Sequence, residues 1–111
     1  MDRAKIRRQF ERAVNMTAVE LDCWLKTAAS MRVGFRQPGA AESIGHASGR
    51  RIVAILGKRA TELIDEDYMH MRKVVGYVHR HSAQRPENIY TSRWRYSLMN
   101  WGHDPVKEDE R

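Results

Sequence analysis

The chain has 111 residues, of which 20 are Lys or Arg and 14 are Asp or Glu, giving a formal net charge of +6. This length suits a single domain that buries enough surface to fold without a disulfide bond. The single cysteine excludes an internal disulfide and a multi-cysteine zinc site. No apolar run approaches the ~18 residues of a membrane span, so we expect a cytoplasmic protein with no membrane partner.

Helical periodicity predicts an all-α fold, a single compact domain of about five helices, because no segment alternates as a strand would. The first predicted helix covers residues 3–14. A capping box of Thr17 and Glu20, flanked by Met16 and Leu21 as a hydrophobic staple, marks the start of the second helix.

Residues 30–42 lose this periodicity and carry two glycines and a proline, so we expect a loop there. The remaining helices are predicted to start near Gly49, to cover residues 65–82 and to cover residues 91–101. The helical domain is predicted to span residues 1–105, and residues 106–111 are expected to form a flexible C-terminal tail.

A glycine-flanked segment precedes the third predicted helix. Gly45 to Gly49 is predicted to be a flexible turn, with Arg50 and Arg51 following in the first helical turn. Backbone N–H groups, the positive end of the helix and two guanidinium groups would then converge on one phosphate. The alternative is that Ser48 simply caps the helix. The Lys-Ser/Thr pair of a Walker motif is missing, which argues against nucleotide hydrolysis.

Basic residues gather on the outward faces of the third and fourth predicted helices. These outward-facing residues are Arg50, Arg51 and Lys58 on the third helix and Lys73, Gly76, Tyr77 and Arg80 on the fourth. Glycine costs about 1 kcal/mol relative to alanine inside a helix. Gly76 therefore indicates the close approach of a DNA backbone or, alternatively, of another helix. Segregated charge favours a binding face, although a solvated basic face has the same pattern.

The segment 93–105 interleaves aromatic rings with arginines. Trp94 and Trp101 are predicted to face inward, whereas Arg93 and Asn100 are predicted to face outward. Arginine and asparagine can read guanine and adenine edges, so these two residues are candidate base contacts. The alternative is that the tryptophans are core residues and the arginines a solvated rim.

No catalytic or metal-binding pattern is evident. The five histidines contain no pair at i and i+4, and neither a nucleophile elbow nor a His-Glu-x-x-His sequence occurs. We therefore expect no cofactor, no metal site and no enzymatic activity.

Three long blocks follow one another in the chain: Gly45 to Val53, Asp67 to His81, and Arg93 to Pro105. Together they resemble a small bacterial family known as domain of unknown function 3140. Some members of that family carry a DNA-binding protein label, so the resemblance implies a nucleic-acid partner.

The leading hypothesis is a non-enzymatic DNA-binding protein, associated with the nucleoid, whose basic helix faces contact duplex phosphates. The candidate contact residues are Ser48, Arg50, Arg51, Lys58, Lys73, Gly76, Tyr77, Arg80, Arg93 and Asn100. The alternative hypothesis is a protein-interaction module or a homodimer.

Overall fold

The computed structural model describes residues 1–110, in which seven α-helices and no strand occur. The helices are α1 (Arg3–Ala13), α2 (Ala18–Leu25), α3 (Ala28–Arg32), α4 (Ile44–Leu56), α5 (Asp65–Ser82), α6 (Arg93–Asn100) and α7 (Pro105–Asp109). A 3₁₀ turn at Ala60–Glu62 links α4 to α5. The all-α prediction is confirmed, but about five helices was too few. The two unpredicted helices, α3 and α7, have five residues each, too few to show a helical period.

One hydrophobic core joins the helices. Helix α1 packs along α5 and α2 packs against α4, while α6 contacts α2, α3, α4 and α5. The buried residues at the centre of this core are Phe10, Leu21, Ile52, Met71, Val74 and Trp101. Helix α6 therefore closes the core, and its flanking residues lie where several helices meet.

The strongest sequence signals are confirmed. Helix α5 runs over the predicted residues 65–82, and its predicted apolar stripe is buried. At the start of α2, Glu20 N donates a hydrogen bond to Thr17 Oγ1 at 3.1 Å, and Thr17 N donates to Glu20 Oε1 at 2.8 Å. This reciprocal pair is the predicted capping box.

Helix α4 begins earlier than predicted. Ser43 caps it by accepting a hydrogen bond from His46 N at 3.0 Å, so the segment from Gly45 to Gly49 is helical. A Cβ atom on Gly49 would lie 2.5 Å from the carbonyl oxygen of Asn100. The predicted flexible turn is wrong, because these glycines serve the close packing of α4 against the end of α6.

Parts of both regions that were predicted to be irregular, the loop 30–42 and the tail 106–111, are also helical. Helix α3 occupies the first residues of the predicted loop 30–42, and α7 occupies most of the predicted tail 106–111. Lys107 Nζ donates a hydrogen bond to the carbonyl oxygen of Asn15 at 2.8 Å, which fixes α7 against the body of the protein. Arg111 lies outside the described residues, and the flexibility of the tail stays a prediction.

Candidate nucleic-acid interface

Carboxylates cover the α4 basic face, which we define as Arg50, Arg51 and Lys58. Glu42 accepts two hydrogen bonds from Arg50 and lies 2.6 Å from Nδ1 of His46, and these contacts together lower the pKa of its carboxyl to about 2. The buried Asp67 accepts a hydrogen bond from Lys58 Nζ at 2.8 Å and lies 3.7 Å from Arg51 Nη2. The bond from Lys58 lowers the pKa of Asp67. Each of the three cations therefore has a carboxylate partner within the fold, and Arg51 and Lys58 share one, Asp67.

Ser48 is buried inside α4 and does not lie at its N-terminus. Its Oγ is 2.9 Å from Nε2 of His70, so this contact joins α4 to α5. Burial lowers the pKa of His70, which favours the neutral ring. The predicted phosphate cradle lacks its geometry, because the backbone N–H groups of residues 47–49 are bonded within the helix and His46 N donates to Ser43 Oγ.

Lys73, Gly76, Tyr77 and Arg80 form the α5 basic face. Lys73 and Arg80 are exposed, and neither makes an ion pair within residues 1–110. A Cβ atom on Gly76 would lie 3.0 Å from Nη1 of Arg80. Neither a DNA backbone nor a second helix is needed to explain this glycine, because the guanidinium of its own helix lies over it.

A groove of about 330 Å³ runs between α5, α6 and the segment before α4. The groove is lined by Gly34, Phe35, Ile44, Gly45, Lys73, Tyr77, Arg80, Ser97, Asn100 and Trp101. Two of these residues are cations and none is an acid. The volume lies at the lower end of the range for small-ligand pockets. The α5 basic face is thus one wall of an apolar, positively charged groove.

A row of near-parallel rings lies along α5 and the two ends of α6. In order, the rings are His70, Trp101, Tyr77, His81 and Trp94, with the Tyr77 and Trp101 centroids 4.2 Å apart and the other neighbours 5.1 to 6.4 Å apart. Burial raises the pKa of Tyr77 and lowers the pKa of His81. Both rings are therefore neutral near pH 7, and the row supplies a rigid apolar floor.

Asn100 lies inside the protein, so the prediction that it faces outward is wrong. Its Oδ1 accepts hydrogen bonds from Trp24 Nε1 at 2.8 Å and from Ser30 Oγ at 2.5 Å, and its Nδ2 donates to the carbonyl oxygen of Ser30 at 3.1 Å. A buried amide needs such partners, and here they come from α2 and α3. Asn100 therefore holds α6 to α2 and α3, and its amide is engaged in these internal hydrogen bonds.

The two arginines of the 93–105 segment differ. Arg95 binds both carboxylate oxygens of Asp104, at 3.0 and 3.1 Å. Arg93 is exposed and makes no ion pair in the described part of the chain. It lies one helical turn before Ser97, which lines the groove, and therefore extends the positive surface along α6. The inward placement of Trp101 is confirmed, while Trp94 is half-buried.

The sequence prediction missed several residues of the groove, among them Phe35, Ile44 and Ser97. Phe35 and Ile44 are 68% and 37% exposed, and Ser97 is half-buried on α6. The carbonyl oxygen of Phe35 accepts a hydrogen bond from Ile44 N at 2.9 Å, so the backbone beneath this exposed ring is anchored. An aromatic residue next to Gly34 in an aperiodic segment is the signal that could have identified it.

Residues 1–110 contain no group of three or more His, Cys, Asp or Glu side chains that could hold a metal ion. Over the same residues, no helix is both long and apolar enough to cross a membrane.

A family model described as protein of unknown function (DUF3140) matches residues 9–99. Since this is most of the sequence, the chain belongs to that family. No curated protein and no solved structure matches the chain.

Proposed function

We propose that this member of the DUF3140 family is a non-enzymatic DNA-binding protein that holds phosphates on its α5 basic face. The observation that carries the proposal is the contrast in pairing: Lys73 and Arg80 lack a carboxylate partner among the described residues, whereas each cation of the α4 basic face has one. Unpaired cations release counterions from DNA when they bind it, which is the main source of non-specific affinity.

The proposed surface is narrower than the sequence suggested. It consists of Lys73, Arg80 and Arg93, with Tyr77 between the two α5 cations. We leave out Arg50, Arg51 and Lys58 because binding DNA through them would require breaking ion pairs with Glu42 and Asp67. We also leave out Ser48 and Asn100, because both are buried.

We do not assign a catalytic role to the serine–histidine pair. Ser48 is buried in α4, and its contact with His70 serves to hold two helices together. If the protein binds DNA, the nucleoid is the place where we expect to find it.

A salt titration of binding to random-sequence duplex DNA tests the proposal. With about three phosphates neutralised, the logarithm of the binding constant should fall with the logarithm of salt concentration with a slope between about −2 and −3. Failure to bind at low salt, or binding that does not depend on salt, would contradict the proposal.

A protein partner or a second copy of the chain is the other candidate. Phe35, Met31 and Ile44 expose 68%, 47% and 37% of their surface, close together in the chain before and at the start of α4. Exposed apolar surface of this kind marks interaction sites. A molecular mass that rises with concentration in sedimentation would favour this function.

A further inference from the structure

Two cations of α5 line the groove. Lys73 and Arg80 are seven residues apart, which is about 10 Å along a helix axis. The Arg80 side chain, however, folds back toward the N-terminus and places Nη1 3.0 Å from the position of a Gly76 Cβ. Its charge thus lies over a turn that begins next to Lys73, and no acid lines the groove there. Two cations without acidic partners on one wall of a groove can donate charge-assisted hydrogen bonds to a phosphate.

A flat apolar wall faces those cations. Phe35 stands across the groove with its ring largely exposed and its backbone hydrogen-bonded to Ile44. Tyr77, stacked on the buried Trp101 at 4.2 Å, forms part of the floor. An exposed aromatic ring on an anchored backbone, in a groove that also carries cations, is the arrangement by which proteins stack unpaired bases.

We infer that this groove binds an unpaired nucleobase together with its backbone phosphate, with the base stacked on Phe35 and the phosphate on the wall that carries Lys73 and Arg80. The inference rests on the proposed function and makes it more specific, because a base inside a duplex is already stacked and cannot enter the groove. It predicts a preference for single strands over duplexes. The same chemistry occurs in a single-stranded nucleic acid and in a free nucleotide.

The experiment measures the binding of the full chain to three probes: a labelled oligothymidylate strand, a labelled random-sequence duplex and thymidine monophosphate. Phe35→Ala is compared with the wild-type chain. Because Phe35 is largely exposed, the substitution should leave the melting temperature unchanged. Tyr90→Ala is the matched control, because Tyr90 is an aromatic residue with 64% exposure that does not line the groove.

We expect Phe35→Ala to weaken single-strand binding roughly 5- to 100-fold, the loss of one base–aromatic stack, and to leave duplex binding unchanged. Tyr90→Ala should change neither. Saturable binding of thymidine monophosphate that also depends on Phe35 would identify the free nucleotide as the ligand and support the same site. Phe35-dependent binding of thymidine monophosphate would support the groove as a nucleotide site even if the protein bound neither the single strand nor the duplex.

Two results would overturn the inference. If Phe35→Ala leaves single-strand and nucleotide binding unchanged while duplex binding persists, the groove does not take a base, although the proposed DNA-binding function stands. If Phe35→Ala instead abolishes a concentration-dependent increase in mass, the exposed ring belongs to an interface between copies of the chain.

Discussion

On the α4 basic face, Glu42 and Asp67 pair with Arg50 and Arg51 and with Lys58 just beyond the end of the helix, whereas on α5 Lys73 and Arg80 have no carboxylate partner within residues 1–110. The partner acids come from other parts of the chain, Glu42 from the segment before α4 and Asp67 from α5. The difference teaches that the number of Lys and Arg residues on a helix face does not determine how much positive charge that face offers to a ligand. Acids on the neighbouring segments determine it, and folding brings them into place.

The glycines of the same two helices also differ: Gly49 in α4 contacts the interior of the protein, and Gly76 in α5 contacts a surface side chain. Gly49 makes room for the backbone of Asn100 and for Leu25, so it serves packing inside the protein. Gly76 makes room for the flexible guanidinium of Arg80, so it serves the surface. Gly49 therefore allows α4 to pack closely inside the fold, and Gly76 allows the Arg80 guanidinium to lie against the exposed face of α5.

The largest effect should come from Gly49→Ala. The new Cβ would lie 2.5 Å from Asn100 O and 2.6 Å from Leu25 Cδ2, so the helices must move apart. We expect a loss of about 1–3 kcal/mol in the free energy of unfolding, although helix propensity alone would give a gain. Denaturant titration measures it. Gly57→Ala, with its nearest contact at 3.5 Å, is the control and should cost far less.

Asp67→Asn should have the next largest effect. The buried carboxylate bonds to Lys58 Nζ and to Ile64 N, and its neutral replacement keeps the shape but loses the charge. We expect a loss of about 1–2 kcal/mol of stability together with tighter DNA binding, since Lys58 is released. Asp65→Asn removes an exposed acid and should change stability little. DNA affinity that does not rise would contradict the idea that Asp67 masks the α4 basic face.

A smaller effect is expected from mild acid. Burial lowers the pKa values of His70 and His81 in the folded protein below those of the unfolded chain. The unfolded chain then binds more protons, so stability is complete above about pH 6.5 and decreases as pH falls below it. Thermal melting between pH 7 and pH 5 measures this. His81→Phe keeps the ring stack and should reduce the dependence; an unchanged dependence would contradict the role of His81.

The smallest effect on stability is expected from Gly76→Ala. The displaced atom belongs to the flexible end of Arg80, so helix propensity should dominate and stabilise the protein by up to about 1 kcal/mol. Moving the guanidinium away from Lys73 should also weaken DNA binding. A destabilised Gly76→Ala variant would show that this glycine, like Gly49, serves packing.

Helix α5 could be predicted from the sequence because its 18 residues keep one apolar stripe that coincides with its buried face. The start of α4 could not, because glycines at 45 and 49 have the same appearance in a turn and in a close helix crossing. The sequence predicts an outward-facing Asn100, because in a helical pattern a polar amide normally lies on the solvent side. Its partners, Trp24 and Ser30, lie about seventy residues away in the chain.

The candidate site was partly predictable for a similar reason. The strip from Lys73 to Arg80 follows from helical geometry alone. Pairing of Arg51 with Asp67 and the position of Phe35 across the groove depend on tertiary contacts between elements that have no local pattern in common. The cations could be identified from the sequence, but not which of them remain free.

The most direct test compares the salt dependence of duplex DNA binding for two double variants, Lys73→Gln with Arg80→Gln and Arg50→Gln with Arg51→Gln. Each lost phosphate contact should reduce the slope by about 0.9. We predict a slope less steep by about 1.8 for the α5 variant and an unchanged slope for the α4 variant. An equal or larger change in the α4 variant would contradict the claim that folding pairs one basic face with acids and leaves the other free to bind.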